Sequence, residues 1–316
     1  MANDGRDGYR FKIGMRLMEL GLDSFDDMLT IAQEVGVDSV WFNRLPGVES
    51  MAALSDAEWD QIAAQVARYG LEISVISPEI PFKQLHLTEL PLGNPHDHPV
   101  YRQHLDDLVR TMQVAARLDI GAVNLHSFAW PGEYSAGKPT WPMRWLTGGG
   151  VIADIDMEKL VSALSPAVEA AEYYKVDLVV SQEPWIYTNT TTNFRRVAEA
   201  LGSQRVKLMW TPSDNFNSGE RHVETAGFHN ARPYLHSFHL KNVHVFDGPS
   251  LKFEYRSLAT GDVDYVPILR QLRDYRCDAV LALATHFTPP GGTHVDAMRI
   301  NAAELRAMIA QVEAEG

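Results

Sequence analysis

The sequence has little cysteine and little positive charge. Cys277 is the only cysteine, so no disulfide can form within the chain, and a cytoplasmic location is expected. There are 28 lysine and arginine residues against 41 aspartate and glutamate residues, which gives a formal net charge of −13. Because this charge repels the phosphates of nucleic acids and of anionic lipids, we expect neither nucleic acid nor a membrane as a partner.

Long apolar runs are also missing. No uncharged run approaches the ~18 residues that would span a membrane. The first residues, MANDGRDGYR, are polar and acidic and lack the apolar core of a signal peptide. Apolar residues still make up 45% of the chain, enough for a large core. We expect a single domain over residues 1–316, because parallel barrels of about 250 residues are routinely single domains.

What the sequence does contain is a regular alternation of short apolar runs with longer segments of helical period. Eight runs are predicted to be strands: RFKIGMRL, VDSVWFN, LEISVIS, AVNLHSF, DLVVSQE, VKLMWTP, LHSFHLKN and AVLALATHF. The intervening helices have clear boundary signals. The expected N-caps are Ser24 and Ser55, and the expected C-terminal stops are Gly36, Gly70, Gly121 and Gly202.

This alternation predicts an α/β fold with parallel strands and right-handed crossovers. Eight strands favour a closed (β/α)8 TIM barrel over an open sheet. No glycine-rich nucleotide loop follows the first strand, which argues against a dinucleotide-binding fold.

The candidate chemistry lies where the strands end, because the active site of such a barrel forms at the C-terminal ends of its strands. Polar residues at the last inward positions of apolar strands are hard to explain by stability alone. These strand-end positions are His126, Glu183, Thr211, Asp214, His239, Lys241, Ala284 and His286.

Several segments resemble the sugar phosphate isomerase/epimerase family, the xylose isomerase-like TIM barrels. They are SQEPW, MWTPSDNFNSGE, FHLKN, GDVDYVPILRQLR and LALATHFTPPGG. The resemblance covers most of the chain. It implies a divalent metal held by a glutamate on strand five, an aspartate on strand six, a histidine on strand seven and a glutamate on strand eight. Glu183 and His239 match the first and third of these positions.

The other two positions depart from the family pattern. Thr211 stands where the strand-six aspartate is expected, and Ala284 stands where the strand-eight glutamate is expected. Asp214, three residues after Thr211, is a candidate replacement. His286 points to the same side as Ala284 but one pleat further out.

Two interpretations of the metal follow. In the first, Glu183, Asp214 and His239 bind a divalent ion, Mn²⁺, Mg²⁺ or Zn²⁺, with open positions for substrate hydroxyls. In the second, the barrel is metal-free, Lys241 neutralises Glu183, and His239 hydrogen-bonds a loop. The residues alone leave both interpretations open.

The resemblance implies an enzyme that acts on a sugar, cyclitol or glycoside by removing a proton next to a carbonyl. Isomerisation, epimerisation and β-elimination, including C-glycoside deglycosidation, all belong to this chemistry. The missing strand-eight glutamate favours elimination by one base and a histidine acid. We expect Glu183 to be a ligand or the base, with His126 or His286 as its acid/base partner. Lys241 is expected to bind a substrate oxyanion or to pair with an acid.

The sequence also allows functions other than proton abstraction from a carbohydrate. The changes at Thr211 and Ala284 also suit a barrel that has lost catalysis and binds a sugar or a partner subunit. A metal-dependent endonuclease of the same fold is disfavoured by the acidic charge. The loop after strand four holds Trp130, Trp141 and Trp145, which suit either a lid over sugar faces or the interface of a homo-oligomer.

Overall fold

A computed structural model describes residues 9–79, 81–91, 94–130, 150–247 and 252–315 of the chain. Eight parallel strands close into a barrel in the order β1-β10-β7-β6-β5-β4-β3-β2. This confirms the predicted (β/α)8 TIM barrel, and all eight predicted strands are present. The barrel strands are β1 (Lys12–Arg16), β2 (Ser39–Phe42), β3 (Glu72–Ile76), β4 (Ala122–His126), β5 (Asp177–Ser181), β6 (Val206–Trp210), β7 (Leu235–Leu240) and β10 (Val280–Leu283).

The strands alternate their side chains between the barrel interior and the surrounding helices. A small interior cluster is formed by Trp41, Val75, Ala122, Val179, Met209 and Ala282. A much larger apolar core lies between the strands and the helices. Because both faces of each strand are covered, most strand residues are apolar, although a few polar residues such as Ser39, Asn124 and Ser237 are buried within the strands.

Helices follow the strands around the barrel. They are α1 (Phe25–Val35), α2 (Asp56–Arg68), α3 (Pro99–Arg117), α4 (Asp154–Tyr174), α5 (Thr191–Leu201), α6 (Pro212–Asn217), α7 (Phe228–Ala231), α8 (Val266–Asp274) and α9 (His294–Ala314). Short 3-10 helices precede or follow several of them, and one turn of π-helix, Val223–Gly227, leads into α7.

The predicted boundary signals act as expected with one exception. Ser24 accepts a hydrogen bond from the Asp27 amide, and Ser55 forms a capping box with Glu58. Gly36, Gly70 and Gly202 have the positive φ that closes a helix. Gly121 is not the stop of α3. That helix ends at Arg117, and the residue with positive φ is Asp119, since a short turn is inserted before β4.

An antiparallel hairpin, β8 (Asn242–Asp247) and β9 (Lys252–Arg256), is inserted after β7 and was not predicted. Its base is fixed by the buried Asn242 side chain, which donates to the carbonyl oxygens of Leu258 and Val263 at 2.9 Å each. Gly261 packs so closely on Asn242 that a Cβ atom there would lie 2.2 Å from Cγ. The hairpin positions Tyr255 beside the barrel rim.

Candidate active site

The polar side chains predicted at the strand ends do meet at the C-terminal rim of the barrel. His126 is the last residue of β4, and His239 lies within β7. Glu183, Lys241 and His286 follow the ends of β5, β7 and β10. Asp214 lies in the first turn of α6, just after β6. Most of these side chains are buried, and two separate groups can be distinguished among them.

The first group begins with Glu183. Its Oε1 atom lies 2.5 Å from the Lys83 ammonium and 3.5 Å from Nε2 of His126. Burial by itself would raise the pKa of Glu183, but Lys83 and His126 outweigh it, and the pKa lies well below its usual value. Burial lowers the pKa of His126 despite the neighbouring carboxylate. At neutral pH the arrangement is therefore a carboxylate, an ammonium and a neutral imidazole.

Lys241 and Asp214 form a second, more deeply buried ion pair, with Nζ 3.0 Å from Oδ2 and side chains only 6% and 3% exposed. Burial raises the pKa of Asp214 to about 6, although Lys241 opposes the shift. Burial would lower the pKa of Lys241, but Asp214, Tyr255 and Glu183 reverse the effect and raise it. We call Lys83, Glu183, Lys241 and Asp214 the ion-pair cluster.

The second group, the imidazole cluster, consists of Glu19, His239 and His286. One ligand atom from each lies within 4.8 Å of the other two. The two imidazole rings are nearly parallel, with centroids 5.7 Å apart. Nδ1 of His286 lies 3.6 Å from Oε2 of Glu19. In the described parts of the chain, no hydrogen bond reaches Nε2 of His239 or of His286.

The protonation states of the imidazole cluster follow from burial and nearby cations. Burial and Lys241 together hold the pKa of His239 well below its usual value. The same causes lower the pKa of His286 to about 3. Burial alone would raise the pKa of Glu19, but the Arg16 guanidinium opposes it most strongly, and the pKa is lowered. The cluster therefore presents two neutral imidazoles and one carboxylate.

Arg16 and Tyr255 support the imidazole cluster from either side. The Arg16 guanidinium binds Oε1 of Glu19 at 2.5 Å and lies 4.8 Å from the Trp41 ring centroid. The Tyr255 ring lies 4.9 Å from the His286 ring and 5.7 Å from the Lys241 ammonium. Tyr255 therefore contacts both clusters.

Two of the four metal positions implied by the family resemblance lack a side chain that binds metal through a charge or an imidazole. Thr211 and Ala284 are fully buried and supply no charged or imidazole ligand. Oε1 of Glu183 is already bound by Lys83. The set Glu183, Asp214 and His239 therefore stays a prediction, with each of its carboxylates facing a lysine.

Lys241 pairs with Asp214, whereas the metal-free interpretation paired it with Glu183, whose nearest ammonium belongs to Lys83. Lys83, Glu19 and Tyr255 were missed by sequence reasoning. Lys83 lies in the loop after β3, and Glu19 lies in a 3-10 helix after β1. Both follow strand ends, so a search that also included the first and third strands would have found them. Tyr255 gave no such signal, because the hairpin that carries it is an insertion.

The predicted tryptophan cluster is only partly visible. Trp130 is buried and packs on Tyr187, with ring centroids 3.9 Å apart. It therefore does not offer an exposed face for stacking or for a subunit contact. Trp141 and Trp145 lie outside the described residues. Over the described ranges, every helix is too short or too polar to cross a lipid bilayer.

Comparison with solved structures finds the same fold at low identity. L-ribulose 3-epimerase matches with a TM-score of 0.69 at 15% identity, over 97% of each chain. The probable 3-DHS dehydratase AsbF from Bacillus anthracis matches with a TM-score of 0.67 at 14% identity, over 94% of this chain and 99% of that one. A xylose isomerase-like TIM barrel protein from Mycobacterium smegmatis, solved in complex with magnesium, has a TM-score of 0.66 at 16% identity, over 96% and 97%.

A search of curated protein sequences gives no significant match. The profile of one family, in contrast, matches residues 29–308, which is most of the chain and includes β2 to β10. The strand order of the closed barrel and this family match both indicate the same fold. The chain is a member of the xylose isomerase-like TIM barrel family.

Proposed function

We propose that the protein is an enzyme that removes a proton next to the carbonyl of a sugar, cyclitol or glycoside. The resulting enediolate then undergoes isomerisation, epimerisation or β-elimination. The observation that carries this proposal is the ion-pair cluster: the buried pair Lys241–Asp214 and the largely buried pair Lys83–Glu183, at the rim where the active sites of TIM barrels form.

Buried ion pairs contribute little net stability, because desolvation of the charges offsets their attraction. An apolar rim would hold the barrel together at least as well. Charged groups retained at this place are better explained by chemistry that needs them. Buried ammonium groups beside a reaction centre stabilise negative charge that develops on a carbonyl oxygen.

The roles can be assigned to this chain's own groups. Lys241 is assigned as the group that donates a hydrogen bond to the substrate oxygen that becomes an oxyanion. Glu183 is ionised and has one oxygen, Oε2, without a hydrogen bond in the described residues, so it is assigned as the base. His126 contacts Glu183. It is assigned as the acid/base partner that receives from Glu183 the proton taken from the substrate.

The carboxyl group of Asp214 affects which of these reactions, isomerisation, epimerisation or β-elimination, the site can carry out. Asp214, with a pKa of about 6, is close to the value at which a side chain both accepts and donates a proton at neutral pH. It restores a second carboxylate to a site that lacks the strand-eight glutamate. For β-elimination, Glu183 would take the C–H proton, the C–H electron pair would form the new double bond, and Asp214 in its protonated form would protonate the leaving oxygen. His286, with a pKa of about 3, is neutral and is less suited to be the acid.

The resemblance also implies a divalent metal, Mn²⁺, Mg²⁺ or Zn²⁺, which would act as a Lewis acid on the enediolate. No step is assigned to an ion at the four family positions, because Thr211 and Ala284 supply no ligand there. The set Glu183, Asp214 and His239 remains a testable prediction.

Proton exchange tests the proposal without knowledge of the product. The protein is incubated in D₂O with a panel of ketoses, inososes and C-glycosides, and loss of the C–H signal next to the carbonyl is followed by NMR. We expect exchange with at least one class. Glu183→Gln should lower the exchange rate at least ~100-fold, and Lys241→Met should lower it as strongly.

The control is Glu34→Gln, which removes a carboxylate of the same type from an exposed pair with Arg299 on the surface. It should leave exchange unchanged. If a panel compound binds, by thermal shift, but never exchanges, the alternative of a barrel that only binds a sugar or a partner subunit is favoured instead. Full exchange by Glu183→Gln would contradict the role given to this residue.

A further inference from the structure

The geometry of the imidazole cluster points to a Zn²⁺-type metal site formed by Glu19, His239 and His286. This set shares only His239 with the four positions implied by the family resemblance. The inference deepens the proposed function and rests on it for the role of the ion. Binding itself needs no substrate, so the two proposals can fail separately.

The spacing of the ligand atoms suits a single ion. Two ligands that lie about 2.1 Å from a tetrahedral ion are separated by about 3.4 Å. Oε2 of Glu19 and Nδ1 of His286 are 3.6 Å apart, and the atom from His239 completes a set within 4.8 Å. The Glu19–His286 separation is already close to this value, and the longest separation must shorten by up to about 1.4 Å, which side-chain rotation can supply, to bring all three atoms onto one ion.

A second and independent observation points to a ligand. The His239 side chain is 7% exposed, and its Nε2 atom has no hydrogen bond from any described residue. A buried polar atom left without a partner is costly, of the order of 1–3 kcal/mol. A bound cation would remove that cost, and neutral imidazoles are the form that binds metal.

The neighbouring charges do not block the site. Lys241 is paired with Asp214, and Lys83 is paired with Glu183. Arg16 binds Oε1 of Glu19 and so holds the other oxygen, Oε2, toward His286. A hydrogen bond that orients a ligating carboxylate in this manner is common around metal ions.

The type of ligand selects the type of ion. Two imidazoles and one carboxylate suit Zn²⁺ and similar transition metals better than Mg²⁺ or Ca²⁺, which prefer oxygen ligands. Three protein ligands leave at least one coordination position open, as in catalytic zinc sites. Tyr255, which contacts His286 and lies over Lys241, would connect the metal site with the ion-pair cluster.

The test is metal binding by the full chain after removal of metal with a chelator. Zn²⁺ is titrated in by calorimetry, and X-ray absorption of the Zn²⁺-loaded protein counts the imidazole ligands. We expect one ion per chain and two imidazoles. Glu19→Gln and His286→Asn should each weaken binding more than ~100-fold, because even the loss of a group that only orients a ligand costs 10–100-fold.

Glu34→Gln is the comparison variant and should retain Zn²⁺ affinity within about threefold, while Asp214→Asn, which removes a ligand of the other proposed set, should still bind Zn²⁺ through two imidazoles. Loss of Zn²⁺ in Asp214→Asn, together with a single imidazole, would overturn the inference in favour of the set Glu183, Asp214 and His239. Absence of stoichiometric Zn²⁺ binding would overturn it outright. The imidazole count uses the unmodified protein, so it decides the matter even if a variant fails to fold.

Discussion

The ion-pair cluster and the imidazole cluster occupy the same barrel rim but satisfy their buried polar atoms differently. In the ion-pair cluster, each carboxylate has an ammonium within 3.0 Å. In the imidazole cluster, the carboxylate is bound by Arg16, while two imidazole nitrogen atoms are left without hydrogen bonds among the described residues. The charges of the ion-pair cluster balance one another, although Oε2 of Glu183 has no hydrogen bond from a described residue, whereas the imidazole cluster presents neutral nitrogen atoms that can bind a cation.

This difference has a physical cause. An ammonium or carboxylate cannot be buried alone, because its desolvation costs several kcal/mol, so each must bring its partner with it. An imidazole can be buried in its neutral form, at the cost of a lowered pKa. A neutral histidine therefore places a nitrogen atom that can bind a metal inside a protein at a lower desolvation cost than a charged side chain does.

The largest expected effect comes from breaking one ion pair. Lys241→Met and Asp214→Asn should each destabilise the protein by about 3–5 kcal/mol, because a buried group loses its partner. The double variant Lys241→Met/Asp214→Asn should lose far less unfolding free energy than the two single variants lose in sum. Unfolding in urea measures the three values.

The exposed pair Arg299–Glu34, with both side chains about half exposed, is the matched control for this cycle. Its single variants should each cost less than ~1 kcal/mol. If the costs of the two buried substitutions simply add, Lys241 and Asp214 do not act as a pair, and the description of the ion-pair cluster fails.

The imidazole cluster should govern acid stability. Because the pKa of His286 is about 3 in the folded protein and ~6.5 when unfolded, the unfolded chain binds the proton first as pH falls. Stability is then lost between about pH 6.5 and pH 3, at up to ~1.4 kcal/mol per pH unit for each such histidine.

Between about pH 6.5 and pH 3, His286→Asn should reduce the slope of the unfolding free energy against pH by up to ~1.4 kcal/mol per pH unit. The exposed His229 provides the comparison, and His229→Asn reports the effect of the same substitution on the surface. An unchanged slope in His286→Asn would mean that this imidazole is not held neutral.

The smallest effect is expected at Tyr255, the residue that contacts both clusters. Tyr255→Leu removes the ring that packs on His286 and lies over the Lys241 ammonium, and should cost about 1 kcal/mol. Tyr255→Phe keeps the ring and should stay within about 0.5 kcal/mol of the unmodified protein. Equal losses in the two variants would show that the hydroxyl, not the ring, links the clusters.

Much of the fold was predictable from local patterns. The apolar runs gave all eight barrel strands, and Ser24, Ser55, Gly36 and Gly202 gave the ends of helices. The hairpin β8–β9 was missed although its residues, NVHVFD and KFEYR, alternate polar with apolar side chains, because the predicted strands were the near-continuously apolar runs typical of a parallel sheet. The domain boundary, residues 1–316, remains a prediction.

The candidate site was predictable only in part. Parallel strands place their C-terminal ends together, so His126, Glu183, His239, Lys241 and His286 could be assigned to one rim. Which of them touch could not be predicted, because pairing depends on side-chain reach across the barrel. Lys83 is 100 residues from Glu183 in the chain, yet it binds that carboxylate.

The sequence by itself determined the barrel, since hydrophobic period, helix caps and strand number are local properties that sum to one architecture. It also determined which residue types stand at the rim. Only the tertiary structure decided that the carboxylates of Glu183 and Asp214 face ammonium groups while Glu19 joins His239 and His286. That decision depends on distances of a few ångströms, over which burial and charge pairing change the protonation of every group involved.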